Sequence, residues 1–150
     1  EGRRLAFVTD AGTPAIDDPG SSIVAALRAE GFTRITPIPG ASAVTTAFSV
    51  AGIAAQQFFF GGFPPQKKRR NKFFEDIARR AEPVVLFESP YRLLKTLHDI
   101  KNAAPDRLLV VFKELTKLHE YFWQGDADGI LADLTNESIK GEWVIVLNRK

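Results

Sequence analysis

Leu5-Ala6-Phe7-Val8-Thr9-Asp10-Ala11-Gly12-Thr13-Pro14 is the stretch that sets the fold class. Four consecutive apolar residues, Leu5 to Val8, predict a short strand buried on both faces, because a strand with one wet face alternates apolar and polar side chains. The chain from Asp10 to Gly20 is rich in Gly, Pro and Asp, which predicts a loop. Ser21 or Ser22 then offers an N-cap to a helix carrying Ile23, Val24, Ala26 and Leu27 on one side, stopped by Gly31. Arg34 to Ile38 reads as a second strand broken by Pro39-Gly40, and a helix of small residues follows from about Ala41 to Ala51, closed by Gly52. Strand, loop and helix repeated in this order mark right-handed parallel βαβ units.

Beyond Gly52 the texture changes. Gln57 to Phe60 predicts an aromatic strand, Gly61-Gly62-Phe63-Pro64-Pro65 a turn, and Lys67 to Arg80 a basic helix. Pro83 to Phe87 and Leu108 to Phe112 read as buried strands, His119 to Trp123 as a half-exposed one, and Trp143 to Leu147 as a last apolar strand. Between them, Ser89-Pro90 predicts the start of a helix with Leu93, Leu94, Leu97 and Ile100 at helical spacing, and Asp128 to Leu134 a short helix. The expected fold class is α/β. Residues 1–55 are expected to form the last part of an N-terminal parallel α/β domain and residues 56–150 a C-terminal mixed-sheet α/β domain.

The composition, 45% hydrophobic and 25% charged, is that of a globular protein, with no apolar run of membrane-spanning length. Without cysteine there is no disulfide framework, thiol nucleophile or Cys-based zinc site. His98 and His119 show no metal-ligand spacing, so no metal is expected. The chain lacks methionine and opens in mid-fold, which leads us to expect a piece of a longer protein. A net charge of +2 is mildly basic, so any affinity for nucleic acid must come from a local cluster.

Ligands in open α/β sheets sit beyond the carboxyl ends of strands. The loop from Asp10 to Gly20 has that position, with Gly12 permitting positive φ and Asp10, Asp17 and Asp18 available as acceptors. Alone, it reads equally well as a turn that caps the next helix. A second loop, Pro39-Gly40-Ala41-Ser42-Ala43, ends the neighbouring predicted strand, and two such loops on one sheet edge favour a ligand site. Lys67, Lys68, Arg69 and Arg70, with Lys72, form the one charge run. Cations at a helix N-terminus oppose the macrodipole, at about 0.3–1 kcal/mol each, so the run points to an anionic partner such as a phosphate backbone. Phe59, Phe60 and Phe63 lie near enough in sequence to stack on bases, although such a row more often belongs to a core.

Taken in order, Val8-Thr9-Asp10-Ala11-Gly12-Thr13-Pro14 with Asp18-Pro19-Gly20, then Pro37-Ile38-Pro39-Gly40-Ala41-Ser42-Ala43, Gly61-Gly62-Phe63-Pro64-Pro65, Glu88-Ser89-Pro90-Tyr91-Arg92-Leu93, Lys113-Glu114-Leu115-Thr116-Lys117 and Lys140-Gly141-Glu142 resemble the motifs of the ribosomal RNA small-subunit methyltransferase I family. That family lies within the tetrapyrrole (corrin/porphyrin) methylase superfamily. The resemblance implies a two-domain, tetrapyrrole methylase-like α/β fold with S-adenosylmethionine bound in the cleft between domains. It implies methyl transfer to the ribose 2′-hydroxyl of a cytidine in small-subunit ribosomal RNA, with the 30S subunit as partner, by a cytoplasmic homodimer without membrane attachment. By the same resemblance Asp10, Ala11, Gly12, Thr13, Pro14, Gly40, Ala41, Ser42 and Ala43 would lie against the cofactor, Lys113, Glu114 and Lys117 would sit near the cleft, and the helix from Lys67, with Lys113 and Lys117, would hold RNA.

A 2′-hydroxyl needs a proton acceptor as it attacks. Glu114 and Asp10 are candidates by location only, and the catalytic base stays unassigned. The family's Thr-Pro-Ile-Gly-Asn and Glu-Asp-Thr-Arg motifs would precede Glu1, and its helical tail would follow Lys150. The chain by itself is therefore expected to be inactive. Two rival functions are a methyltransferase acting on a tetrapyrrole such as precorrin or uroporphyrinogen, and a non-catalytic RNA-binding module. The Lys67–Arg70 run favours RNA over a small macrocycle.

Overall fold

The computed structural model describes residues 4–149; residues 1–3 and 150 lie outside the described residues. Two compact units are formed, Glu1–Ala43 and Val44–Lys150.

The first unit contains one helix, α1 (Ser21–Ala29), and otherwise loops. Neither predicted strand forms among its described residues. Leu5 is 93% exposed and Val8 81%, where burial on both faces was expected, and Ile38 is 79% exposed. The physical reason is that a strand closes none of its own hydrogen bonds. Apolar character alone does not create one where no neighbouring strand pairs with it. The cap of α1 also differs: Gly20, at φ 125, holds the N-cap position without a side-chain bond, while Ser21 and Ser22 open the helix.

The second unit is a three-layer α/β structure. Its elements are α2 (Ala43–Ala51, whose first residue closes the other unit), β1 (Phe59–Gly62), α3 (Arg70–Ala78), β2 (Val84–Glu88), α4 (Leu93–Ala103), β3 (Leu109–Lys113), β4 (Tyr121–Gly125), α5 (Ala127–Asp133), a 3-10 turn over Leu134–Asn136, and β5 (Trp143–Leu147). The five strands form one mixed sheet in the order β1-β2-β5-β3-β4. β1 and β2 are parallel, and the β2–β5, β5–β3 and β3–β4 pairs are antiparallel.

The apolar runs follow from burial on both faces. Val84, Leu86, Leu109, Val111, Ile145 and Leu147 point to the side covered by α3, α4 and α5, where Phe74, Ile77, Leu93, Leu97, Ile100 and Ile130 complete one core. Val85, Val110, Phe112, Val144 and Val146 point the other way, under Val44, Ala47 and Ala51 of α2. Alanine at Ala47 and Ala51 lets that helix lie close to the β-branched surface. Two predicted caps shift. The helix after Ser89-Pro90 starts at Leu93, with the residues before it in a turn, because Ser89 uses its carbonyl to bind the N–H groups of Arg92 and Leu93, both at 3.1 Å. α5 is capped by Asp126, whose carboxylate accepts from Gly129 N at 2.8 Å.

Candidate functional site

In the first unit the two Gly/Pro loops meet, as expected. Thr13 N donates to Ala41 O at 2.8 Å, and Thr9 Oγ1 donates to Gly12 O at 2.9 Å. Gly12 sits at φ 74, and a Cβ there would lie 3.1 Å from Ala41 O. A Cβ on Gly40 would meet Thr13 Oγ1 at 3.3 Å. Gly12 is therefore set by close backbone approach as well as by its positive φ, whereas Gly40 faces a side-chain hydroxyl. Asp10, Ala11, Gly12, Thr13, Gly40, Ala41 and Ala43 are exposed; Pro14 and Ser42 are partly covered. One oxygen of Asp18, Oδ2, is buried without a hydrogen-bond partner, and an orphaned acceptor of this kind is where a donor from a ligand or water belongs.

In the second unit four of the sequence motifs converge. β1, β2 and β3 run in the same direction, so Gly62, Glu88 and Lys113 end at one edge of the sheet. Trp143, at the start of the antiparallel β5, is in register with both Glu88 and Lys113. The segments Gly61–Pro65, Glu88–Arg92, Lys113–Lys117 and Lys140–Glu142 thus share that edge through strand direction and register, over 80 residues of sequence.

The Lys113–Lys117 turn is bound to the Lys140–Glu142 loop. Glu114 N donates to Glu142 O at 2.9 Å, and Glu142 N returns a bond to Glu114 Oε1 at 2.7 Å. Lys117 Nζ lies 3.2 Å from Glu114 Oε1 and 3.1 Å from Glu142 Oε2. The Glu142 N–H, then Lys117, hold the Glu114 carboxyl below the usual carboxylate range. Glu142 and then Glu114 raise Lys117 above its ordinary value, so it is cationic at neutral pH. Glu114 and Thr116 both adopt left-handed backbone, at φ 52 and 69. Lys113 donates to Ser138 O and lies 5.8 Å from the centre of the Trp143 ring. A concavity of about 320 Å³ beside this turn is lined by Lys113, His119, Glu120, Tyr121, Trp123 and Glu137. Another, of about 600 Å³ between α4 and α5, touches none of the predicted site residues.

The basic run divides. Lys67, Lys68 and Arg69 lie in an exposed turn ahead of α3, and Lys72 is exposed in its first turn. Arg69 caps that helix in the left-handed region, at φ 66, with no side-chain cap bond and no acidic residue in the first turn. Arg70 does not belong with them. It is 5% exposed, and its guanidinium binds Asp99 at 2.7 Å, Pro65 O at 2.9 Å and Thr96 Oγ1 at 2.8 Å. The expectation that Arg70 contacts RNA is corrected accordingly: its charge has a folding role, which the dipole argument had assumed absent. Lys113 and Lys117 are likewise engaged locally. Among the described residues, the members of the run left without an ion pair are Lys67, Lys68, Arg69 and Lys72.

A buried polar network around Arg70 escaped the sequence reading. Glu88 is 2% exposed and accepts from Arg92 at 2.6 Å, Ser89 N at 2.7 Å and Thr96 Oγ1 at 2.5 Å. Arg92 also donates to Pro64 O at 2.9 Å. Arg70 and Arg92 therefore fasten the two prolines that lead into the cationic turn. The available signal was Thr96, a polar residue three positions after Leu93 on the apolar face of α4.

Among the described residues, no group of three or more His, Asp or Glu is placed to hold a metal ion, and no helix is long and apolar enough to cross a membrane.

Residues 1–130 match the family model described as Tetrapyrrole (Corrin/Porphyrin) Methylases. The chain is 40% identical over 148 residues to a Synechocystis protein, 37% over 150 residues to one from Thermotoga maritima, and 44% over 151 residues to one from Neisseria meningitidis serogroup A, each named ribosomal RNA small subunit methyltransferase I. Those matches cover 97%, 100% and 98% of this chain and 53%, 67% and 51% of the relatives. The chain thus spans about half the length of most curated relatives it matches. Similar solved folds include the methyltransferase CobJ, with TM-score 0.65, 20% identity, and 92% of this chain and 62% of that one covered. Uroporphyrin-III C-methyl transferase from Thermus thermophilus, complexed with S-adenyl homocysteine, gives TM-score 0.59, 14% identity, and coverage of 90% and 62%. With its motifs in order along the sequence, four of them gathered at one sheet edge, and a family match over most of its length, the chain belongs to the tetrapyrrole (corrin/porphyrin) methylases, alongside relatives named ribosomal RNA small subunit methyltransferase I.

Proposed function

We propose that the protein carrying this chain is a cytoplasmic S-adenosylmethionine-dependent methyltransferase that acts on the ribose 2′-hydroxyl of a cytidine in small-subunit ribosomal RNA, as a homodimer. The observation that carries the RNA substrate is the exposed turn Lys67-Lys68-Arg69, with the two prolines before it bonded by the buried Arg70 and the partly buried Arg92. Long cationic side chains on a held backbone suit phosphates, and a small macrocycle does not call for them. The names of the relatives support the same substrate.

The loops of the first unit fit the cofactor. Small exposed residues at Gly12, Gly40 and Ala41 permit close approach, and the orphaned Asp18 Oδ2 is an acceptor for a hydroxyl or ammonium donor. Asp10 to Pro14 and Gly40 to Ala43 would hold it. When bound, its sulfonium supplies the methyl group, and what remains for the protein is alignment and removal of one proton.

Of the two candidate bases, Glu114 is poorly suited, because a carboxylate stabilised by the Glu142 N–H and Lys117 has lost basicity. Its geometry fits a positioning role, joining the two loops. Lys117, held protonated between two carboxylates, does not suit proton removal. Asp10, which is exposed, is the candidate that remains.

The test is methyl transfer from labelled cofactor to intact small subunits by the full-length protein, alongside precorrin and uroporphyrinogen substrates. RNA should be methylated, and changing Lys67, Lys68 and Arg69 together to alanine should reduce the slope of log affinity against log salt by about 2, at roughly 0.7 per phosphate contact on single strands. Methylation of a tetrapyrrole instead, or an unchanged salt slope, would refute this assignment.

A further inference from the structure

Beside the cationic turn lie two aromatic side chains that the core does not use. Tyr91, in the turn between β2 and α4, is 95% exposed. Its turn is closed by the bond from Arg92 N to Ser89 O, so a tyrosine is not needed to hold it. Phe63, in the turn after β1, is 50% exposed. Its neighbours in sequence behave differently: Phe59 lies under the Arg80 guanidinium at 3.4 Å, and Phe60 packs edge-on against Phe87 at 5.0 Å. Phe63 touches the same Phe87 ring at 5.8 Å, edge-on, and half of its surface stays open.

The segments that carry the two exposed rings are joined by one bond. Arg92 donates to Pro64 O at 2.9 Å, and Tyr91 and Phe63 each stand one residue from an end of that bond. Both bonded residues are fixed further, Arg92 by Glu88 at 2.6 Å and the following Pro65 by Arg70 at 2.9 Å. Lys67, Lys68 and Arg69 follow after Pro65 and Gln66 and are exposed. An isolated exposed aromatic needs no explanation. Two of them, flanking a fixed bond and followed by three cations, combine flat apolar surface with positive charge. That is the chemistry that recognises unpaired nucleotides, whose bases stack while their phosphates take the charge.

We propose that Phe63 and Tyr91 are a stacking site for unpaired nucleobases of the RNA, with Lys67, Lys68 and Arg69 on the adjoining phosphates. This rests on the reading of the protein as an RNA methyltransferase.

The test uses the full-length protein and fluorescence anisotropy with a labelled unpaired oligoribonucleotide and an abasic strand of equal length. Tyr91→Ala, a change at a surface position, should weaken binding to the first about 5- to 150-fold, with the salt slope unchanged, while Tyr91→Phe retains the affinity. Wild type and Tyr91→Ala should bind the abasic strand equally. Phe63→Ala should act in the same direction, and a melting curve checks that Phe87 stays packed. Tyr91→Ala binding within twofold of wild type, in a protein that still methylates ribosomal RNA, sinks the stacking site and spares the function. Loss of affinity for whole small subunits with none for free RNA assigns the rings to a protein partner and overturns the proposal. A full-length protein that neither binds nor methylates RNA overturns the function and the stacking site together.

Discussion

Thr96→Val isolates the polar network under the cationic turn, because the two side chains have nearly the same shape and no cavity opens. Thr96 is fully buried; its hydroxyl donates to Glu88 Oε2 at 2.5 Å and accepts from Arg70 at 2.8 Å. Both partners are charged, and both are at least 95% buried. Hydrogen bonds to charged groups contribute about 1.5–3 kcal/mol each, which sets an upper range of about 3–6 kcal/mol for the pair. Glu88 Oε1 keeps Arg92 and Ser89 N, and Arg70 keeps Asp99 and Pro65 O, so each charge stays paired while Glu88 Oε2 and Arg70 Nη2 lose the hydroxyl. The expected loss is therefore about 2–4 kcal/mol. In urea, with a slope of about 1–3 kcal/mol per molar, the midpoint should fall by about 1–2 M at unchanged slope. A double-mutant cycle with Arg70→Met should return a coupling of about 0.5–3 kcal/mol. A loss below about 0.5 kcal/mol would refute the reasoning, since that is the range of an ordinary surface change.

Three further outcomes are expected. Gly141→Ala places a Cβ 2.8 Å from Glu114 Cγ at a backbone φ of 117, and should destabilise by about 1–3 kcal/mol, read as a drop of several degrees in melting temperature. Glu114 has a lowered pKa in the folded state, so its stabilising effect is present above the unfolded value of 4.5 and fades as pH falls through the folded one. The stability gap between wild type and Glu114→Gln, followed by denaturant titration, should accordingly close in acid, and a gap that widens there would reverse the assignment. Gly12→Ala, at φ 74 and 3.1 Å from Ala41 O, should lower the affinity of the full-length protein for S-adenosylmethionine by about tenfold or more, measured by calorimetry.

The strands that pair within the second unit were legible because each carries its own evidence. Trp143 to Leu147, Val84 to Glu88 and Leu109 to Lys113 are runs that only burial on both faces explains, and the chain supplies helices for both faces. Leu5 to Val8 has the same texture and forms no strand, since the pattern records suitability for a sheet and not the presence of one. The two Gly/Pro loops of the first unit were legible as loops, and they meet through Thr13 and Ala41, although the sheet edge on which they were expected to lie does not form.

Sequence by itself determined the elements of the second unit, the ordered motifs and, through them, the family, because period, turn chemistry and residue order are local properties of a chain. Tertiary structure alone decided which charges are free. Arg70 and Arg69 are adjacent and chemically identical, yet one is buried against Asp99 and Thr96 while the other stands in water. Glu114 likewise became a tie between two loops only when β3 and β5 brought Glu142 beside it, 28 residues away. Burial and pairing between distant residues depend on how the sheet is assembled, and spacing along a chain does not encode them one residue at a time.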